Sequence, residues 1–504
     1  MARKNSKNKK NETLHESDAL PLLELKFDEP LFQMASHPEE PIVATGLSNG
    51  YIYCYKYDPI RLANYLQQNK KNFKLKQDKT TETNKDANDN VFWKVVSVPP
   101  EEEEENSENP EVTLLWKTRR HKGSVRCMAM DPNGEFIYSI GTDNVLKKAN
   151  VKNGKVIEKV TISNNDNKFS KMTVSSSHPI LLLGDEVGNV HTIDTKTFKL
   201  VNVIKKIHGG DSINDIFHFS KRSAYKFISA GETTLAYWDC RKSNDKDSQE
   251  TDELKRNVVY SDDQEDEILC GTFLDAEEGD TVVCGMGEGV VTIWKPEKND
   301  LEDQMSRIKI AKDESIECIV STLQDDNSVW CGCSNGKLYK VNIKSSRVTE
   351  IRQHNSIDEV QFIDLDCEYR VVSGGMDNIK IWEFEPTKEE ETEEEKEGNS
   401  NWSGSSSGDD SDSEENSSDD FENGTELTGL SREELIAELD KDLDNDREDS
   451  NNESDEDISN DIKPAAIKRK MPVKEKKSKR QLKKMKQEKT SYNDSHGITK
   501  FEDL

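Results

Sequence analysis

The sequence predicts an all-β protein, a seven-bladed β-propeller followed by a long disordered, charged C-terminal tail. Three observations predict it. A short strand–turn–strand pattern recurs through the first three quarters of the 504 residues, each copy with a strand that ends in glycine. The spacing of those glycines lies near the 40–45 residues of a four-stranded propeller blade. The charge gathers at the far end. Glu383 to Asp461 holds 32 acids against 5 bases, and Lys463 to Lys489 holds 13 bases against 2 acids. Such composition cannot bury enough apolar surface to offset the entropy of ordering a chain.

In chain order, residues 1–19 read as a basic, disordered N-terminus. LPLLELKF, Leu20 to Phe27, alternates apolar and polar residues as a strand does, and is predicted to add the outer strand to blade seven and close the ring. The first unit follows as HPEEPIVATGLSNGYIYCY. The second reads HKGSVRCMAMDPNGEFIYSIGTDNVLKKANV, from His121 to Val151. Then come HPILLLGDEVGNVHTID, KFISAGETTLAYWD, TVVCGMGEGVVTIW and SVWCGCSNGKLYKVN. The seventh is HNSIDEVQFIDLDCEYRVVSGGMDNIKIW, from His354 to Trp382.

The aligned glycines are Gly46, Gly141, Gly184, Gly231, Gly285, Gly332 and Gly374, separated by 95, 43, 47, 54, 47 and 42 residues. The first gap is one period too long. Residues 58–112, lysine-rich and then EEEEENSENPE, are predicted as a disordered insertion between blades one and two. The polar stretch RKSNDKDSQETDELKR accounts for the gap of 54. A four-stranded sheet has two apolar faces and cannot bury either alone; sheets packed around an axis cover both. The propeller is therefore expected over 20–384. An acidic disordered tail with a short helix at 431–444 occupies 385–462, and a basic tail occupies 463–504.

These repeats resemble WD repeats. Blade seven carries the hydrogen-bonded tetrad of that family as His354, Ser373, Asp377 and Trp382. Blade two has His121, Ser139 and Asp143, with Ala149 where Trp is expected. Blade four has His208, Ser229 and Trp238, with Asp239 after the Trp and no clear turn carboxylate. A tetrad of this kind satisfies polar groups that are costly to bury unpaired. Within the fold, the chain is similar to the nucleolar WD-repeat family of WD repeat-containing protein 55, the fungal jumonji-interacting WD-repeat protein type. The details that carry the likeness are F-x-x-x-x-HP then A-T-G in blade one, ESIECIV through CGCSNGKLYKVNI in blade six, RQHNSIDEV opening blade seven, and the acidic and basic tail. The likeness covers Leu20 to Phe384 and implies nucleolar residence and a part in ribosome production or pre-rRNA processing.

Composition and motifs exclude several classes. No run approaches the 18 apolar residues of a membrane span, and MARKNSKNKK lacks the apolar stretch of a secretory signal. The nine cysteines (Cys54, Cys127, Cys240, Cys270, Cys284, Cys318, Cys331, Cys333, Cys367) are odd in number and scattered through apolar runs, which suits buried thiols. Cys331 and Cys333 share a strand face without a second pair at metal-ligand spacing. Walker, H-E-x-x-H, G-x-S-x-G and kinase motifs are missing. The run Gly285-Met286-Gly287-Glu288-Gly289 lies between strands with no helix to cradle a phosphate, and reads as a blade turn. His354, Ser373 and Asp377 have tetrad spacing, not a nucleophile's exposure. Asp442, Asp444, Asp446 and Glu453 mimic a calcium loop, but Arg447 stands where its turn requires Gly. No catalytic residue, cofactor or metal is expected.

The tail holds two further candidates. Ser431 and Glu434 fit a capping box, and Leu435, Ile436, Leu439 and Leu443 then form an apolar helical stripe suited to docking on a partner. Acids three residues after Ser407, Ser411, Ser417, Ser431, Ser450 and Ser454 suit an acid-directed kinase. KRKMPVKEKKSKRQLKKMK, with Lys468, Arg469, Lys470, Lys476, Lys477, Lys479 and Arg480, fits a nuclear address and a salt-sensitive RNA-contacting arm. The expected function is a non-catalytic, monomeric scaffold that binds proteins of a nuclear, pre-ribosomal assembly. A histone-associated propeller is one alternative. A ubiquitin-ligase substrate receptor is another, since Trp238-Asp239-Cys240-Arg241 matches W-D-x-R.

Overall fold

The structure is a computed structural model that describes residues 16–77, 91–98, 110–162, 168–242 and 257–384. Seven sheets, antiparallel save for one parallel pair in the seventh, follow one another, and the first strands of successive sheets pack together until the seventh meets the first. Blade one is built from β2 (Leu31–Ser36), β3 (Ile42–Leu47), β4 (Tyr51–Tyr57) and β6 (Val112–Arg119). Its ring is closed by β1 (Pro21–Lys26), which pairs antiparallel with Asn378–Trp382 of blade seven, Leu25 opposite Ile379. Leu22, Leu23 and Leu25 are buried there, so the two ends of the propeller hold each other through one shared core.

The glycine that marks each repeat has a physical reason beyond its turn. A Cβ on Gly46 would lie 2.7 Å from Val125 of blade two, and one on Gly332 would lie 2.7 Å from Val360 of blade seven. At Gly46, Gly184, Gly285, Gly332 and Gly374 the next blade thus packs directly on the bare backbone, whereas at Gly141 and Gly231 the place of a Cβ is taken by His121 and His208 of the same blade. Side chains of the innermost strands then stitch neighbours together. Ser170 Oγ donates to the carbonyl of Ile213 (2.6 Å), Asn214 Nδ2 to Ile268 (2.9 Å), Cys270 Sγ to Ile316 (3.4 Å) and Cys318 Sγ to Val360 (3.3 Å). Asp215 ties three blades, meeting Lys171 Nζ at 2.8 Å and accepting from the Gly271 amide at 3.0 Å. All nine cysteines are free thiols, and eight are buried.

The insertion departs from expectation. It lies within blade one, between β4 and β6, and much of it is ordered. Asp58 caps helix α1 (Pro59–Gln77) by accepting from the amides of Ile60 and Arg61, and Pro59 sits at the first position, where its missing N–H costs nothing. Leu62 and Leu66, one turn apart, are fully buried in the core around β1. After the helix, β5 (Lys94–Ser97) runs parallel to β1, with Leu23 opposite Lys94 and Leu25 opposite Val96. Blade seven therefore has five strands. Asn69 Nδ2 donates to Phe92 O, and Lys70 reaches Glu383, whose carboxylate also accepts from the Leu20 amide. The lysine-rich composition that suggested disorder begins within the helix itself, where Lys71 is exposed, and continues into residues beyond the described ones.

Candidate functional site

The polar groups that could carry chemistry lie where the loops entering each blade meet its central turn. In blade seven they form one continuous chain of donors. Trp382 Nε1 donates to Ser373 Oγ (2.7 Å), the serine joins His354 Nδ1 (2.8 Å), and His354 Nε2 meets Asn378 Oδ1 (2.8 Å). Asn378 Nδ2 donates onward to Glu24 Oε1 of β1 (3.3 Å), and Trp93 of the insertion donates to Glu24 Oε2 (2.8 Å). Asp377 was expected as the acceptor, and the structure corrects that. Its side chain is exposed, and its carbonyl accepts from the Phe27 amide. The reason is Glu24, buried beside Asn378. An amide there both accepts from the histidine and donates to the carboxylate, whereas a second carboxylate would place two anions together.

Blades two and four vary the theme. His121 meets Ser139 Oγ and Asp143 Oδ1, each at 2.9 Å, and Lys147 stands 3.6 Å from the same carboxylate. Ala149 is buried where the tryptophan is missing, in a cluster that includes Trp116 from blade one. In blade four Trp238 and His208 both reach Ser229 Oγ at 2.9 Å. Thr234, which sequence reasoning missed, supplies the acceptor for His208 Nδ1 at 2.6 Å. Blade five lacks the histidine, and Trp294 donates instead to Thr292 on its own strand (3.0 Å).

Burial pushes His121, His208 and His354 each down to about 4, so they are neutral imidazoles at neutral pH. Ser373 and Ser229 have no exposed surface. Each hydroxyl is already engaged by a tryptophan and a histidine, so the geometry holds blades in shape and presents no nucleophile. Cys331 and Cys333, at alternate positions of Ser328–Cys333, are fully buried, and burial raises both thiols. The Gly285–Gly289 run spans the end of the strand Val282–Met286 and the three-residue turn that leads into Val290–Trp294. Arg241 of the W-D-x-R match forks onto its own Asp239 (2.9 and 2.6 Å) and stacks over Tyr225 at 4.0 Å. The tail candidates, Leu435, Ile436, Leu439 and Leu443, the basic arm from Lys468 to Arg480, the calcium-loop mimic and the acidic serines, lie outside the described residues.

What the ring offers a partner is its surface. Residues 112–206, the last strand of blade one through blade three, carry 16 bases against 8 acids, and residues 257–384, the last strand of blade four through blade seven, carry 27 acids against 12 bases. Blades two and three are thus net basic, and blades five to seven net acidic. On the acidic half, a groove of about 650 Å³ opens among the loops of blades six, seven and one.

The WD domain, G-beta repeat family is matched at residues 112–147. The chain is 48% identical to the WD repeat-containing protein JIP5 of Vanderwaltozyma polyspora, over 97% of both chains. It is 47% identical to the protein of that name from Kluyveromyces lactis, over 99% of this chain and 100% of the relative. Against the one from Saccharomyces cerevisiae strain S288c it is 49% identical, over 86% and 90%.

Proposed function

Because this chain belongs to the fungal family of WD repeat-containing protein JIP5, we propose that its propeller is a non-catalytic scaffold which gathers proteins in the nucleolus and acts in ribosome production and pre-rRNA processing. The observation that carries the scaffold reading is the division of charge around a rigid ring. A body basic on one side and acidic on the other can hold two partners of opposite character at a fixed separation. Support for the nuclear part comes from Lys468 to Lys486, a basic run with the character of a nuclear address. The nucleolar and pre-ribosomal part rests on the likeness to the family of WD repeat-containing protein 55 and on the paired acidic and basic tail.

Purification of the tagged protein after nuclease treatment is the test. Recovery of pre-ribosomal proteins is the expected result. Histones alone, or ubiquitin-ligase subunits alone, would replace the reading with one of the two alternatives. RNA held through the basic run should fall away steeply between low and moderate salt.

A further inference from the structure

The geometry points to the groove at the junction of blades six, seven and one as a docking site for a basic peptide segment that carries apolar anchor residues; this deepens the scaffold reading and rests on it. The floor is apolar. Leu31 is buried, Phe32 and Phe362 are half-buried, and Leu31 and Phe362 pack over the bare backbone of Gly374. The rim is apolar as well, which is unusual for a surface in water: Ile357 is 88% exposed and Met376 is 51% exposed. Two side chains that protrude this far would stay wet around a small enclosed ligand. A polymer laid across the groove covers them.

Charge selects the polymer. Asp358 and Glu359 line the groove, and Glu29 and Asp377 stand one residue from the lining Pro30 and Met376. The contacts of three of these carboxylates are with neutral groups: Asp358 accepts from the Asn355 amide (2.8 Å), Glu359 from the Gln361 side chain, and Glu29 from the Ser48 hydroxyl (2.7 Å). Neutral partners leave these carboxylates open to an incoming lysine or arginine. The surrounding half of the ring, with its 27 acids against 12 bases, adds long-range attraction of the same sign. Apolar residues then set the register within the groove, and bases set the preference for the class of partner.

Fluorescence anisotropy on the full-length protein tests this with a labelled twelve-residue peptide of lysine and arginine containing three leucines. Two control peptides replace the leucines by alanine, or the bases by glutamine. The leucine–lysine peptide is expected to bind at least tenfold tighter than either control. The double variant Ile357→Ala, Met376→Ala should weaken it about tenfold. Asp358→Asn with Glu359→Gln should weaken it about fivefold and flatten its salt dependence, with unchanged melting temperature in both variants. Affinity unmoved by either double variant would place the peptide on the acidic residues beyond 383 and overturn the proposal, as would equal binding of the glutamine control. Tagged-protein purification separates the two readings. Undiminished partners from the groove variants sink the groove alone, whereas a wild-type protein that recovers no partner sinks the scaffold and leaves groove-dependent peptide binding standing.

Discussion

Asn378 accepts from His354 and passes a hydrogen bond on to Glu24, a double role that a carboxylate cannot fill. Asn378→Asp should therefore destabilise the protein by roughly 2–3 kcal/mol, the cost of crowding a second anion against a buried one. Asp377→Asn, at the exposed neighbour, should stay within about 0.5 kcal/mol; urea unfolding of the two variants measures both. The three buried histidines also make stability depend on pH with a definite sign. Their folded values near 4 lie below the ordinary value of about 6.5. Between those limits the unfolded chain takes up protons that the folded chain refuses. The stabilisation is thus complete above about pH 6.5 and is lost as pH falls toward 4, on the order of 3 kcal/mol for each histidine. His354→Gln should be less stable at pH 7.5 yet show a shallower loss across that window, read as melting temperature against pH.

At the scale of elements, the insertion acts as a clasp over the closing strand. β1 has partners on both edges, Asn378–Trp382 on one side and β5 on the other, and α1 lays Leu62 and Leu66 against the same core. A closing strand at a sheet edge would otherwise fray and expose unpaired backbone. Leu66→Ala should cost about 2–5 kcal/mol through the cavity it leaves. The same change should speed hydrogen exchange at the amides of Leu23 and Leu25, while blades three to five keep their protection. Uniform loss of protection around the ring would mean that α1 is ordinary core and no clasp. The helix start was legible in Asp58-Pro59 followed by Leu62 and Leu66 at helical spacing. The lysines and the acidic run further on masked it, because composition averages over an ordered helix and the residues after it.

For the whole molecule, closure depends on a phase difference. The matched repeat unit, residues 112–147, begins on the last strand of blade one and runs through the third strand of blade two. Sequence repeats and blades are thus offset by one strand, so the chain must borrow its N-terminal strand to finish blade seven. Deleting residues 20–27 should remove cooperative unfolding by circular dichroism and yield aggregates on size-exclusion chromatography, because the Asn378–Trp382 edge and the faces of blades seven and one would both open. A monomeric, cooperatively melting product would show that six complete blades and three strands suffice.

The number of blades, their order and the closing strand were determined by the sequence alone, because each blade is a local pattern and its glycine must be bare wherever the next blade packs on it. The tetrad histidines and serines were legible for the same reason. Their acceptors were not. Asn378 in blade seven and Thr234 in blade four are chosen by what lies across the turn, in blade seven by a carboxylate 354 residues away in the chain. The clasp, the stitching between blades and the groove likewise join segments remote in sequence. Only the tertiary structure decided those, since charge and burial at each point are set by neighbours that folding alone brings together.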